Sequence, residues 1–409
     1  MKNVWILNHY AQEPSGAGGT RHYSLARHLL SHNWRSSVIA ASVELNTGRQ
    51  RLQVWEKKHI DYFHGIPFLW IHTPQYTGNG PGRMKNMLAY AFRALMPDST
   101  RELNKPDVVI GSSVHPFAAA SGAILAWRFK VPFIFEVRDL WPQTLIDLGR
   151  LRKNSIITRG LCVLEKWLYK RADRIVVLLP KAEEYIVPLG IPAQKIVWIP
   201  NGVELTNYPK PIQPQKNDIF TLMYFGAHGQ ANGLGNLLKA MALLQKHQNM
   251  QHVRLRMIGE GPLKQDLVQL AHQLELTNVQ FEEPVAKQQI PALASEADGF
   301  VITVKNLPKL YRYGISMNKI FDYLAAARPT VIASSASNNP IEEAKAGITV
   351  QPDDPEALAE AIAKLVIMTP AERANLGHSG RVYVEKNHSY AALAERFANM
   401  LDELIIERR

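Results

Sequence analysis

The stretch that decides the fold is GISMNKIFDYLAAARPTVIA, residues 314–333. Ser316 is of a residue type that favours the N-cap of a helix, and Ile320 and Leu324 then recur at helical spacing. Pro329 cannot continue a helix, and the four residues after it, all apolar or β-branched, are typical of a short buried strand. The stretch therefore predicts a helix that leads directly into a strand.

The start of this helix is suited to an anion. Its first backbone N–H groups, at Met317, Asn318 and Lys319, have no partner within the helix, and the helix dipole favours negative charge beside them. Lys319 adds a full positive charge, and Asp322 follows one turn further on, where its carboxylate can accept hydrogen bonds from sugar hydroxyls. A diphosphate with a ribose beside it would satisfy all of these groups. An ordinary amphipathic helix with a polar cap is the simpler alternative.

Composition indicates a globular protein of more than one domain. The chain has 409 residues, 46% of them hydrophobic, which is enough for two or more domains. Its single cysteine, Cys162, cannot form an intramolecular disulfide, and residues 1–10 are too short and too soon polar for a secretory signal. No apolar run is long enough to span a membrane. We therefore expect a cytosolic protein.

The formal net charge of +11 favours acidic partners. Nucleic acid is not expected, because the sequence has no signature of an RNA- or DNA-binding module. Nucleotide sugars and an anionic membrane surface both fit the charge, and so does a generally basic surface without a specific partner. No aspartate-rich motif for a metal stands out, so we expect no obligatory metal and no other cofactor.

The chain repeats one arrangement, in which an apolar strand opens onto a glycine-rich loop and then a helix. The strands are residues 4–7 in the first half and 220–225 in the second. Such loops offer backbone N–H groups to a phosphate, although glycines also serve plain turns. The proline-rich, polar segment 206–218 between the halves is typical of a linker. Two Rossmann-like α/β domains are therefore predicted. The candidate phosphate-loop glycines are Gly18, Gly19, Gly226 and Gly229.

Two further loops follow the carboxyl ends of predicted buried strands. His115 comes shortly after the strand 107–111, and Arg138 and Asp139 come directly after the strand 132–137. Open α/β sheets bind their ligands at this edge. These three residues are therefore candidate catalytic residues. A structural histidine and a simple Arg–Asp salt bridge are the alternatives.

The segment 78–101 predicts a helix that mixes basic residues with methionine, tyrosine and phenylalanine. A helix that lies in a membrane interface has this composition. A core helix whose long cationic side chains reach outward to water has it as well. The candidate residues for contact with a membrane or an acceptor are Arg83, Lys85, Phe92 and Arg93.

Residues 314–333 resemble the donor-site signature of the retaining GT-B glycosyltransferases of family 4. Asp322 falls on the second of the two glutamates in that signature, and AAARPTVI, residues 325–332, matches the exit of its helix into a Pro-Val-Ile strand. Gly314 falls on the first glutamate, which is a departure from the family. The segment SMNKIFDY resembles a bacterial O-antigen and capsule subgroup, some of whose members move N-acetyl-fucosamine.

The resemblance implies a GT-B fold, in which two Rossmann-like domains face each other across a cleft. It implies an N-terminal acceptor-side domain over residues 1–205, a nucleotide-sugar-binding domain over residues 206–385, and a C-terminal helix, residues 386–409, that crosses back to the first domain. The implied donor-binding residues are Gly18, Gly19, Gly226, Gly229, Gly259, Glu260, Gly261, Pro284, Val285, Ser316, Met317, Asn318, Lys319 and Asp322.

The activity implied by the resemblance is transfer of a sugar, with retention of configuration, from a nucleotide sugar such as UDP-N-acetyl-fucosamine. The implied acceptor is a lipid-linked or other saccharide in bacterial surface polysaccharide biosynthesis. Such an enzyme acts in the cytoplasm, at the inner face of the plasma membrane. Two alternatives stay open. A UDP-sugar epimerase of the same fold needs no acceptor, and a binding protein made of two α/β domains turns nothing over.

Overall fold

The computed structural model describes residues 1–16, 20–45, 47–78, 80–113, 115–208 and 218–408. The candidate glycines Gly18 and Gly19, and most of the predicted linker, lie outside these residues. The chain divides into two compact units. Unit 1 comprises Met1–Pro200 together with Tyr390–Arg409, and unit 2 comprises Asn201–Ser389.

Unit 1 is built on a mainly parallel sheet. Its strands are β1 (Lys2–Leu7), β2 (Trp34–Ala41), β3 (Lys58–Phe63), β4 (Ile66–Ile71), β5 (Val108–Ser112), β6 (Phe133–Val137), β7 (Arg174–Val177) and β8 (Ile196–Trp198). They lie in the order β3-β4-β2-β1-β5-β6-β7-β8, and among the described strands only β3 and β4 pair antiparallel. β3 is not predicted from the sequence, because its half-exposed residues contain no continuous apolar run.

The helices of unit 1 pack on both faces of this sheet. They are α1 (Arg21–Leu29), α2 (Pro81–Ala94), α3 (Pro116–Phe129), α4 (Gln143–Asp147), α5 (Ile156–Arg171) and α6 (Glu183–Ile186). Val4 and Ile6 of β1 share a core with α1, whereas Trp5 points to the opposite face and contacts Phe129 of α3, with ring centroids 5.0 Å apart. On that face α3 packs between α2 and α5. None of the helices that the structure describes has the length and hydropathy needed to cross a bilayer.

Unit 2 is a second parallel α/β unit. Its strands are β9 (Phe220–Phe225), β10 (Val253–Ile258), β11 (Val279–Glu282), β12 (Gly299–Thr303), β13 (Thr330–Ala333) and β14 (Gly347–Val350), in the order β11-β10-β9-β12-β13-β14. Its helices are α7 (Leu234–Lys246), α8 (Lys264–Gln273), α9 (Ile290–Ser295), α10 (Pro308–Tyr311), α11 (Asn318–Ala325), α12 (Pro340–Glu343), α13 (Pro355–Ile367) and α14 (Pro370–Asn387). The two Rossmann-like sheets confirm the predicted fold class.

The chain leaves unit 2 beside the point at which it enters. The backbone N–H of Val203 donates to the carbonyl of His388 at 2.9 Å, and Val203 forms a parallel bridge with Ser389. Residues 201–205 and 386–389 therefore belong to unit 2, whereas the predicted boundaries assigned them to the first domain and to the C-terminal helix. The last helix, α15 (Tyr390–Glu407), packs against α1 in unit 1.

A buried carboxyl group on α5 makes the stability of unit 1 depend on pH. The hydroxyls of Tyr169 and Tyr185 donate to Glu165 at 3.1 and 3.0 Å. Burial raises the pKa of Glu165 from 4.5 to about 8. The folded state therefore holds this proton more tightly than the unfolded state does. The contribution of Glu165 to stability is thus fully present below pH 4.5 and falls as the pH rises toward 8.

We expect Glu165→Gln to raise the free energy of unfolding of unit 1 by about 4 kcal/mol at pH 8, because each pH unit between 4.5 and 8 costs the wild type about 1.4 kcal/mol, and to flatten this pH dependence. All eight tryptophans lie in unit 1, so urea unfolding followed by tryptophan fluorescence reports on this unit alone. Glu102→Gln, at an exposed glutamate of the same unit, is the matched control. Parallel pH profiles for Glu165→Gln and the wild type would show that Glu165 ionises at its ordinary pKa.

Candidate functional site

At the carboxyl edge of the sheet in unit 2, the loops after β9 and β10 touch through their backbones. A Cβ on Gly259 would lie 2.0 Å from the carbonyl oxygen of Gly226, and a Cβ on Gly261 would lie 2.7 Å from the backbone of His228. A backbone hydrogen bond of 2.9 Å from His228 to Glu260 also joins the two loops. Only glycine fits at positions 259 and 261, so the predicted donor-loop glycines have a packing role whatever they bind.

Lys319 lies over this glycine loop. Its Nζ donates to Tyr224 Oη at 2.8 Å and to Asn232 Oδ1 at 3.1 Å. A Cβ on Gly226 would lie 3.1 Å from the same Nζ. Neither partner carries a charge, and within the described ranges no carboxylate forms an ion pair with Lys319. Burial lowers the pKa of this lysine to about 7, so an anion placed here would restore its charge.

Helix α11 begins where the sequence predicted a helix, but its cap is a different residue. The N-cap is Met317, because Ser316 Oγ accepts the N–H of Asn201 at 3.0 Å instead of an N–H of the helix. The backbone N–H groups of Met317, Asn318 and Lys319 have no acceptor among the residues that the structure describes. The helix N-terminus and the Lys319 ammonium therefore offer hydrogen-bond donors in the same place.

Asp322 is already engaged by protein groups. Lys287 Nζ lies 2.7 and 2.6 Å from its two oxygens, and Tyr208 Oη donates to Oδ1 at 2.8 Å. The residue is only 6% exposed. Its carboxylate can accept a sugar hydroxyl only by sharing its oxygens with this ion pair. The role of Asp322 in donor binding stays a prediction.

Gly314 stands where the family signature has its first glutamate, and its backbone explains the departure. Its φ is 107°, in the left-handed region that favours glycine and strains a glutamate. The next residue, Ile315, is fixed by hydrogen bonds of 2.6 and 3.1 Å to the Asn338 side chain. The backbone conformation of this loop therefore favours glycine over glutamate at position 314.

The remaining donor candidates of unit 2 lie in loops at the same edge of the sheet. β9, β10 and β11 are neighbouring parallel strands, so the loops that follow them lie side by side. Gly229 precedes α7, and the exposed Glu260 accepts the N–H of Gly261 at 3.0 Å. In the loop after β11, Pro284 is exposed and Val285 is half-buried. Their roles in donor binding stay predictions.

At the carboxyl edge of the sheet in unit 1, His115 is the N-cap of α3 and is 1% exposed. Neither of its ring nitrogens has a hydrogen-bond partner in the described part of the chain, and the ring of His9 lies edge to face at 4.7 Å. Burial holds the pKa of His115 well below its usual range, and His9 and Arg83 lower it further. Buried polar groups are normally satisfied, so this neutral ring is suited to bond a ligand hydroxyl.

The loops that carry His115 and Arg138 are adjacent. They follow β5 and β6, which are hydrogen-bonded neighbours, and the N–H of Arg138 donates to Ser113 Oγ at 2.9 Å. Arg138 is half-buried, and its Nε has no partner among the described residues. Asp139 is exposed. The structure therefore brings the three predicted catalytic residues to one edge of the sheet, while their catalytic roles stay predictions.

Sequence reasoning missed a buried polar cluster beneath this edge. Glu136, in the apolar strand β6, accepts from Arg21 Nε at 2.9 Å, His22 Nε2 at 2.6 Å and Ser112 Oγ at 2.6 Å. Burial alone raises the pKa of Glu136, but His22 and Arg21 outweigh it and hold the pKa well below its usual range. Arg21 also donates to the backbone carbonyls of residues 199–200. The available signal was a glutamate inside an otherwise apolar strand.

The predicted membrane or acceptor residues of α2 fall into two groups. Arg83 donates to Tyr10 Oη at 2.8 Å and Arg93 donates to the carbonyl of His72 at 2.6 Å, so both arginines are engaged inside unit 1. The other two candidates are exposed, and Phe92 belongs to an apolar stripe at four-residue spacing. The exposed residues of this surface are Met84, Lys85, Leu88, Phe92 and Met96.

Two Rossmann-like α/β units in one chain agree with the architecture predicted for a GT-B protein. Residues 16–202 match the family model described as the glycosyl transferase 4-like domain, and residues 219–368 match the model described as glycosyl transferases group 1. The chain therefore belongs to the GT-B glycosyltransferases that combine these two domains. The predicted fold and the prediction of a glycosyltransferase are confirmed.

Related proteins and solved structures agree with this family. The probable glycosyltransferase WbjE of Pseudomonas aeruginosa is 24% identical over 79% of this chain and 81% of its own. The putative colanic acid biosynthesis glycosyl transferase WcaI of Escherichia coli K12 is 21% identical over 78% and 80%. Sucrose-phosphate synthase of Thermosynechococcus elongatus matches over 100% of both chains with a TM-score of 0.75 and 17% identity. Anabaena HepE, in complex with UDP and glucose, matches over 98% and 100% with a TM-score of 0.67 and 15% identity. The solved structures show the fold alone.

Proposed function

We propose that this protein transfers a sugar, with retention of configuration, from a UDP-sugar to a lipid-linked or other saccharide acceptor. The observation that carries the proposal is Lys319, a cation without an acidic partner in the described part of unit 2, set at the N-terminus of α11. A diphosphate satisfies this charge and the open N–H groups of the helix together. The complex of HepE with UDP supports a uridine donor for this fold.

The proposed transfer breaks the bond between the anomeric carbon of the sugar and the diphosphate, whose leaving oxygen gains negative charge. Lys319 and the N–H groups at the start of α11 stabilise that charge as it develops. Retention requires the acceptor hydroxyl to attack from the face on which the diphosphate leaves. The anomeric carbon then forms its new bond to the acceptor oxygen, and the proton of the hydroxyl passes to the departing diphosphate oxygen. Water must be excluded while the donor is bound, since hydrolysis would compete with transfer.

The three residues at the edge of unit 1 are proposed to contact the acceptor saccharide. His115 is neutral because burial lowers its pKa, so it bonds a sugar hydroxyl as an uncharged donor or acceptor. Arg138 offers an Nε without a partner in the described residues, and the exposed Asp139 offers a carboxylate. These groups suit the binding of hydroxyls and the positioning of the acceptor.

The acceptor is proposed to be a lipid-linked saccharide of bacterial surface polysaccharide biosynthesis, of the O-antigen or capsule type. WcaI, one of the relatives, is named for colanic acid biosynthesis. The exposed apolar stripe of α2, in which Phe92 is 66% exposed, lies beside Lys85 and suits contact with a membrane interface. On this proposal the protein works in the cytoplasm, peripherally bound to the inner face of the plasma membrane.

Transfer is tested by incubating the purified protein with a panel of UDP-sugars, including UDP-N-acetyl-fucosamine, and a bacterial membrane extract. We expect one donor to release UDP and to label an acceptor, with the anomeric configuration of the donor retained in the product by NMR. In the part of the chain that the structure describes, no three histidine, cysteine or acidic side chains are grouped to hold a metal. We therefore expect activity to persist in excess EDTA. Failure of every nucleotide sugar to release its nucleotide with any extract would contradict a transferase.

The same incubation separates the alternatives. An epimerase converts the donor into its epimer when no acceptor is present, whereas a transferase needs the extract. A binding protein gives a saturable titration with UDP-sugars and no turnover under either condition. Both family models that match the chain are glycosyltransferase models, which favours transfer.

A further inference from the structure

A pocket in unit 1 is lined by four cations and one tryptophan. Its volume is about 460 Å³, and its lining residues are Trp127, Arg128, Lys130, Arg171 and Arg408. They come from the C-terminal ends of α3, α5 and α15. Helices between parallel strands run back from the carboxyl edge of the sheet to its amino edge. The pocket therefore lies at the edge opposite His115, away from the candidate transfer site.

The cations of this pocket are not used for ion pairs within the described residues. Arg128 donates to the carbonyl of Leu95, and no acidic side chain contacts any of the four. The carbonyls at the end of α5 are capped by Lys195, which donates to Ala172 at 2.6 Å, so Arg171 is not needed there. Glu407, next to Arg408 in sequence, pairs with Arg174 at 2.5 Å. Among the described residues, no acidic side chain therefore balances the positive charge of this pocket.

Helix α5 leads to this pocket with an exposed apolar stripe. Successive members of the stripe lie seven and four residues apart, so they share one face of the helix. The stripe consists of Ile156, which is 88% exposed, Val163 and Trp167. Exposed cations flank it at Arg159, Lys166 and Lys170, and Glu165, the only acid of α5, is buried. Trp127, 65% exposed on the neighbouring α3, extends the apolar surface to the pocket.

We propose that the pocket binds the phosphate of an anionic phospholipid headgroup while the α5 stripe and Trp127 enter the membrane interface. Exposed apolar side chains flanked by cations are typical of a helix in a membrane interface, where tryptophan is enriched at the level of the headgroups, and Ile156 and Val163 offer no ring on which a nucleic-acid base could stack. α5 lies on the same face of the sheet as α2, on the other side of α3. The proposal depends on residues of unit 1 alone. Its test is therefore independent of the proposed donor site in unit 2.

The test measures binding of the full chain to sedimented vesicles of phosphatidylglycerol and phosphatidylcholine. The double variant Arg171→Gln, Arg408→Gln is expected to bind these vesicles at least about tenfold more weakly than the wild type, because each basic residue near an anionic surface contributes about a fivefold factor. Lys239→Gln, Lys364→Gln removes the same charge from exposed sites of unit 2 and is the matched control. An equal loss in both double variants would show nonspecific attraction and overturn the pocket.

Two further arms separate the headgroup from a free phosphate. Ile156→Ser, Val163→Ser is expected to weaken vesicle binding although it leaves every charge in place, and unchanged binding would contradict insertion of the stripe. Calorimetric titration with inorganic phosphate tests whether the pocket binds a free phosphate instead of a lipid headgroup. Saturable phosphate binding that Arg171→Gln, Arg408→Gln abolishes, without any loss of vesicle binding, would assign the pocket to a soluble phosphate and overturn the lipid. Matching thermal melts of all variants exclude unfolding as the cause.

Discussion

Replacing Lys319 by alanine is expected to lower kcat for sugar transfer by about 10²–10³-fold, the usual cost of removing a group that stabilises developing negative charge. In the proposed reaction, the leaving diphosphate gains that charge beside the ammonium. The two side chains that hold Lys319 in place, Tyr224 and Asn232, are neutral and cannot replace it. The measurement is the rate of UDP release at saturating donor, once the donor panel has identified the donor.

The pH dependence of UDP binding gives a second readout of the same residue. Burial lowers the pKa of Lys319 to about 7, so in the free protein the ammonium loses its proton as the pH rises through 7. A bound diphosphate favours the charged form and raises this pKa. Binding therefore takes up a proton above pH 7, and UDP affinity is expected to fall about tenfold per pH unit until the pKa of the complex is reached.

Two variants act as controls for this prediction. Lys319→Arg keeps a charge that does not titrate in this range, so its UDP affinity is expected to depend little on pH in calorimetric titrations. Lys239→Ala, at an exposed lysine on α7 in the same unit, is expected to leave kcat and UDP affinity unchanged. An unchanged kcat in Lys319→Ala would mean that the diphosphate leaves from somewhere else, and the donor-site assignment would then be wrong.

The parts of unit 2 that the sequence predicted correctly are encoded within a few residues of one another. α11 and β13 follow from the apolar spacing and the proline in residues 314–333, all of which act locally. The cap was wrong because Ser316 has a tertiary competitor, the backbone N–H of Asn201, 115 residues away. The ion pair of Asp322 with Lys287 could not be predicted for the same reason, since 35 residues separate them and no periodicity links the two.

In unit 1, composition predicted the amphipathic character of α2 but not the direction in which its cationic side chains point. Arg83 and Arg93 carry the same charge as Lys85, yet both reach inward to Tyr10 and to the carbonyl of His72, whereas Lys85 reaches water. An arginine can donate hydrogen bonds to neutral acceptors inside a fold. In the sequence, such an arginine cannot be distinguished from one that lies on the surface. Whether a cationic side chain of α2 points inward or toward water depends on the strands and loops that pack against the helix. The pattern of residues within the helix carries no information about these neighbours.

Replacing Glu136 by alanine is expected to lower the free energy of unfolding of unit 1 by about 3–5 kcal/mol, the range for breaking a buried ion pair from one side. The variant leaves Arg21 buried and charged, because a guanidinium does not give up its proton at neutral pH. It also removes the acceptor of His22 and of the Ser112 hydroxyl. Urea unfolding followed by tryptophan fluorescence measures the loss, since every tryptophan lies in unit 1.

Glu102→Ala is the matched control, because this glutamate is largely exposed and its pair with Lys58 contributes at most about 1 kcal/mol. Glu136→Gln separates charge from volume. Glutamine fills the same space but cannot neutralise Arg21, so we expect a loss nearly as large as that of alanine. A small loss in both Glu136 variants would mean that the carbonyls of residues 199–200 suffice to hold the guanidinium. The carboxylate would then be retained for its position beneath the His115 and Arg138 loops, and activity rather than stability would be the property that Glu136 controls.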